Sequence, residues 1–143
     1  MDGLTLDRLK QALADAGLEI YRATASEIRI AERVRMHLMD SGVAVSLRSG
    51  AQVLLTVRSQ RSDFPGAPAE LLFDKVRGAV GKAAEERGFR ELSAVTRDIT
   101  DPVDESHVLD VWHELTLAKD TNDADDLIDD VRWALRVPKC IDP

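Results

Sequence analysis

Two apolar alternations flanking Ser49-Gly50 constrain this chain more than any other feature of its sequence. Val43, Val45 and Leu47 alternate with small or polar residues, and Val53, Leu55 and Val57 repeat the pattern beyond the glycine. A period of two is that of a strand with one buried face, so the segment predicts an antiparallel hairpin. Both apolar sets are odd-numbered, and directly opposed residues share a face, so the register must join odd to odd. Val45 opposite Leu55 and Leu47 opposite Val53 meet that condition across a three-residue loop, Ser49-Gly50-Ala51. The outer face then carries Ser46, Arg48, Thr56 and Arg58.

Helical spacing appears around this hairpin. Leu6, Leu9, Leu13 and Ala16 predict a first helix over 5–16, with Gly17 at the left-handed position after it. Thr24-Ala-Ser-Glu27 is a capping-box pattern, and Ile28, Ala31, Val34 and Leu38 follow it at helical steps, predicting a second helix that ends at Gly42. The alternation of Ile28 and Ile30 supports a rival hairpin pairing 18–22 with 27–31. A third helix is predicted over 68–87, where Gly78 and Gly81 each cost about 1 kcal/mol against alanine and suggest close packing on a neighbour. Strands are predicted over 91–99 and 107–118, and a final helix starts at Asn122 or Asp123 and stops before Pro138.

At 143 residues with 44% apolar and 31% charged residues, the chain suits a single globular domain needing no disulfide or metal to fold. Aromatics are only 4%, so the core must be aliphatic. A net charge of −7 argues against nucleic acid or an anionic membrane as partner. Cys140 is the only cysteine, which fits a reducing compartment. No basic-then-apolar leader is visible at Met1-Asp2-Gly3, and no run approaches the roughly 20 apolar residues of a membrane helix. The composition is therefore of the bacterial-cytosol type, and a cytoplasmic location is expected.

The residues that could carry chemistry are few. His107 and His113 lie on one predicted strand six residues apart, roughly 20 Å, so they cannot share an ion. The segment 120–131 resembles a calcium loop at its start but has Ala124, Asp125 and Val131 where an oxygen ligand, a glycine and a glutamate are needed. No metal and no cofactor is expected. His113 sits on an apolar strand face, where a core histidine is the commoner role, while a catalytic base there would define a small hydrolase or transferase. The carboxylates of the Asp98–Glu105 loop, with Asp101 and Asp104, could serve the same class or hold magnesium, although solvated turns commonly look like this.

Two tryptophans are more informative. Trp112 points away from the apolar face formed by Leu109, Val111, His113, Leu115 and Leu117, and Trp133 lies off the stripe of Leu127, Val131 and Leu135. Aromatics that leave a core are frequent interface anchors, whereas in a sheet covered on both faces both tryptophans would belong to the core, the commoner role. Arg48, Arg58 and Arg61 form the one basic surface that can be placed, and in a neighbouring copy they could complement the acidic start of the last helix, giving a ring- or filament-forming contact.

The expected fold is α+β, a two-layer sandwich with an antiparallel or mixed sheet of four to five strands and three to four helices. A ferredoxin-like strand order over 18–99 is one reading. The helix–strand–strand order also loosely resembles that of ring-forming phage-tail proteins, in order alone. A fold of this kind carries no function by itself. The expected role is a non-catalytic protein-binding or assembly subunit that associates with itself or another protein. Small-molecule binding is the alternative, and the small hydrolase or transferase comes third.

Overall fold

The alternation around Ser49-Gly50 forms the predicted hairpin, in the middle of the sheet. The computed structural model describes residues 4–143. Its strands are β1 (Ile20–Ala23), β2 (Glu27–Val34), β3 (His37–Ser46), β4 (Gln52–Gln60), β5 (Arg90–Thr100) and β6 (Val108–Asp120). They make one six-stranded sheet in the order β1-β2-β3-β4-β6-β5, so the expectation of four to five strands is corrected to six. The helices are α1 (Leu6–Asp15), α2 (Ala69–Val76), α3 (Lys82–Glu86) and α4 (Ala124–Arg136). A π-helical turn, Arg77–Gly81, joins α2 to α3 into one continuous helix. Four strands precede that helix and two follow it, which is not a ferredoxin-like order. By their contacts the residues divide into two units, Met1–Leu55 with Ala118–Val137, and Thr56–Leu117 with Pro138–Pro143.

In the first unit, Val43, Val45, Val53 and Leu55 are fully buried, as the alternation requires. The register differs from the expected one by two residues: Val45 opposes Val53, and Val43 opposes Leu55. A two-residue slip preserves both faces, so alternation alone cannot detect it. Two backbone bonds select the observed pairing. The Leu47 N–H donates to the Ser26 carbonyl (2.7 Å), and the Ala51 carbonyl accepts from the Thr121 N–H (2.9 Å), which leaves 47–51 as the loop. Ser46 is buried, not on an exposed outer face as expected.

The predicted second helix is instead the hairpin β2–β3. Thr24 makes the bond its capping pattern implies, its Oγ1 accepting from the Glu27 N–H at 3.2 Å. The Thr24 N–H also donates to the Glu27 carbonyl (2.8 Å), which closes a tight turn between β1 and β2. Ile28 and Ile30 are then both fully buried, the outcome of a period of two. β2 and β3 pair out to Val34 opposite His37, and Arg35 and Met36 form the two-residue turn. Both have positive φ, 51° and 69°, as a type I′ turn requires, although neither is glycine or asparagine. The pairing breaks between Arg29 and Ala31, where the Ser41 Oγ–H donates to the Ile30 carbonyl at 2.7 Å. α1 is capped by Thr5, whose side chain accepts from the Arg8 N–H, and α4 by Asp123, whose side chain accepts from the Asp126 N–H.

In the second unit, Leu72, Val76, Val80 and Ala84 form the buried stripe of the long helix. They recur every four residues, and each such step overshoots a 3.6-residue turn by about 40°. The π turn lies between Val76 and Lys82 and takes up the excess, which keeps the later residues on the buried side. Gly78 and Gly81 belong to this turn. An added Cβ would meet nothing within 4 Å at Gly78 and only the helix's own Arg77, at 3.9 Å, at Gly81, so close packing does not explain them. Gly88, with φ of 98°, ends the helix, and the Phe89 N–H folds back to the Ala84 carbonyl at 2.9 Å.

Candidate functional site: an arginine-flanked tryptophan on the sheet

β4 and β6 bring the second unit's polar side chains together by simple alternation. On β6, Val111, His113, Leu115 and Leu117 are buried, while Asp110, Trp112, Glu114 and Thr116 point the other way and are partly exposed. On β4, Val57 and Ser59 are buried, and Thr56, Arg58 and Gln60 face opposite. The Thr56 and Thr116 hydroxyls meet at 3.1 Å, which fixes the two strands' registry at this point.

Trp112 lies at the centre of this face. The Arg58 guanidinium is 4.1 Å from its ring centroid and the Arg97 guanidinium 5.5 Å. Both cations lie within the reach of cation–π attraction. Arg97 also donates to Glu114 at 3.0 Å. With the Gln60 amide turned so that its oxygen faces the guanidinium, the orientation that satisfies both groups, it accepts from the Arg58 Nε (2.9 Å) and Nη2 (3.1 Å). The Arg58 backbone is held on the other side, where the Arg58 N–H donates to the Lys139 carbonyl (2.8 Å) and its carbonyl accepts from the Ile141 N–H (2.9 Å). Asp110 pins the adjoining turn, accepting from the Ser62 N–H (3.0 Å), the Ser62 hydroxyl (2.7 Å) and the Val111 N–H (2.8 Å). Burial pushes the Asp110 carboxyl up, but these donors and the Trp112 side chain outweigh it and hold the group below its ordinary value.

The other residues singled out in the sequence lie elsewhere. Trp133 is partly exposed on α4, in the first unit, and Arg48 is there too, its Nε 3.4 Å from the Ser26 hydroxyl. Arg61 is exposed in a 3-10 turn after β4. His113 is buried, with Nδ1 3.0 Å from the Thr96 hydroxyl and its ring edge-on to Phe73 at 5.1 Å. In the acidic loop, Asp101 accepts from the Val103 N–H, and Asp104 from the Ser106 N–H and hydroxyl; the Ser106 hydroxyl bond holds the Asp104 carboxyl below its usual range. Among the described residues no cluster of His, Cys, Asp and Glu is arranged to hold a metal ion. Cys140 is half-buried, and burial pushes its thiol up, away from the reactive thiolate.

Two features escaped sequence reasoning. Arg97 was not marked because its place beside Trp112 depends on the pairing of β5 with β6, which no local pattern specifies. The β2–β3 tip was hidden by the helical reading of 24–38. There Val34, Leu38 and Met39 are 42%, 41% and 49% exposed, and Met36 is 92% exposed.

No helix among the described residues is long and apolar enough to cross a membrane. Comparison with protein-family models, curated protein sequences and solved structures found no match.

Proposed function

We propose that this chain is a non-catalytic protein-binding or assembly subunit that associates with itself, in the cytoplasm. The observation that carries this reading is the tip of the β2–β3 hairpin. It holds two non-glycine residues in left-handed backbone conformations and exposes Val34, Met36, Leu38 and Met39 around them. Apolar side chains displayed around a strained turn, Val34 and Met39 on one face and Leu38 on the other, gain nothing for the isolated fold, and such features concentrate at contact sites. Trp112, partly exposed between two arginines, adds an anchor of the type interfaces favour. Sedimentation velocity over a wide concentration range tests the proposal. Mass above that of one chain, rising with concentration, supports it; a monomer at every concentration overturns self-association.

A second reading, small-molecule binding, has one observation in its favour. A cleft of about 450 Å³ lies beside the π turn, floored by Val80, Phe89, Leu115 and Leu117 and edged by Arg77 and Arg90. That volume falls in the range of ligand pockets. Thermal stabilisation of a monomeric protein by one class of small anion would favour it over assembly. For the hydrolase or transferase reading, His113 meets a hydroxyl and an aromatic ring in place of an orienting carboxylate, which leaves the Asp98–Glu105 loop as its remaining support.

A further inference from the structure

β5 forms one end of the sheet, so among the described residues one of its edges has no strand beside it. It is eleven residues long and contains neither proline nor glycine. Every residue of it except Ile99 is exposed, with Leu92 at 52% and Val95 at 51%. The opposite end of the sheet is blunted in the usual way, since β1 has four residues and an irregular register between Ile20 and Arg22. A long edge left open invites another strand.

The charges on β5 specify which strand. Its sequence runs Arg90-Glu-Leu-Ser-Ala94-Val-Thr-Arg97-Asp98. Laid antiparallel against a second copy of itself with Ala94 opposite Ala94, it places Arg90 against Asp98 and Glu91 against Arg97. The two-fold axis repeats both pairs, so four opposite-charge pairs form. Directly opposed residues share a face, and opposite charges there favour the pairing while like charges oppose it. A slip of one residue in one direction sets Arg90 against Arg97; in the other it sets Glu91 against Asp98. A slip of two in either direction leaves every charge opposite an uncharged residue. Among registers within two residues of this one, it alone is complementary, and it forms more opposite-charge pairs than the shorter overlaps that set Arg97 against Asp98 or Arg90 against Glu91. Within its own chain Glu91 already meets Arg77 at 2.8 Å and Arg97 meets Glu114 at 3.0 Å, so pairing would extend these ion pairs into networks.

We propose that two copies of this chain join by antiparallel pairing of their β5 edges about a two-fold axis at Ala94. The inference rests on the self-association reading and adds to it a second surface, the β5 edge, with a second copy as the partner. The contact is isologous and closes at a dimer. An unrelated protein strand would not need this internal complementarity.

Cross-linking tests it. In a Cys140→Ser background, Ala94→Cys should form an intermolecular disulfide on mild oxidation, because opposed Cβ atoms lie about 5 Å apart. Ser49→Cys, on an exposed loop, is the control and should not. Asp98→Arg should weaken the dimer roughly tenfold by setting like charges against each other twice, and adding Arg90→Asp should restore it, with circular dichroism confirming the fold. If sedimentation shows an oligomer but Ala94→Cys cross-links no faster than Ser49→Cys, the edge pairing is overturned while self-association stands. If the protein is monomeric throughout, both fall. Cross-linking without rescue by the double swap overturns the register.

Discussion

Lys119 on β6 reaches Asp130 on α4, its Nζ 2.9 Å from Oδ1 of a carboxylate that is only 3% exposed. A carboxylate held that deep leans on its cation, because removing Lys119 takes away part of the compensation of a buried charge. Lys119→Met is expected to cost about 3 kcal/mol in urea denaturation. Lys119→Met combined with Asp130→Leu should recover most of that loss, since an apolar pair can replace a buried ion pair. A loss below about 0.5 kcal/mol for the single variant, the range of ordinary surface changes, would show that the pair does not hold α4 on the sheet.

The Arg35–Met36 turn predicts a stabilising change. Both residues occupy the left-handed region, which costs an ordinary side chain roughly 1–2 kcal/mol. Arg35→Asn with Met36→Gly supplies the pair that a type I′ turn prefers. The melting temperature should rise by roughly 3–6 °C. An unchanged or lower value would mean that the native turn is not strained.

The register of β3 against β4 can be checked directly. A nuclear Overhauser contact between the backbone protons of Val45 and Val53 is expected, with none between Val45 and Leu55. Val45→Asp should destabilise the protein by several kcal/mol through an unpaired charge at a fully buried position.

Acid should weaken the fold over a defined window. The Arg77 guanidinium beside Glu91 holds its carboxyl below the ordinary 4.5, and the donors around Asp110 hold that group below 3.8. Groups with lowered folded-state values contribute stability that is present above the unfolded values and lost as pH falls through the folded ones. Denaturation midpoints should therefore stay level from neutrality to about pH 5 and decline below it. Glu91→Gln and Asp110→Asn should each flatten that decline. An equal slope in both variants would remove these groups from the acid response.

Residues 24–38 show where the sequence was legible and where it was not. The capping pattern at Thr24–Glu27 yields the threonine's bond to the Glu27 N–H but no helix, because the same side-chain-to-backbone bond caps a helix or closes a hairpin turn. What decides between them is whether the segment finds strands on both sides, and β2 does. Alternation located the buried faces of β3 and β4 but left the register open by two residues, because distant partners, Ser26 and Thr121, select it. The position of Trp112 off the apolar face was readable from spacing. Its flanking by Arg58 and Arg97 was not, since that needs β4, β6 and β5 in their observed order.

The π turn at Arg77–Gly81 also bears on how this chain can change in length. A turn with one residue more than an α-helix needs is a local surplus of backbone. Deleting Gly78, whose missing Cβ contacts nothing, would let the turn relax to α-helical hydrogen bonding while Ala69 and Glu86 keep their places at the two ends. Before the π turn, in Ala69–Val76, a one-residue deletion with the turn kept would rotate every later side chain by about 100° and carry Ala84 off the buried face. The segment is thus a stretch of this helix where a single-residue gap among related sequences would be harmless.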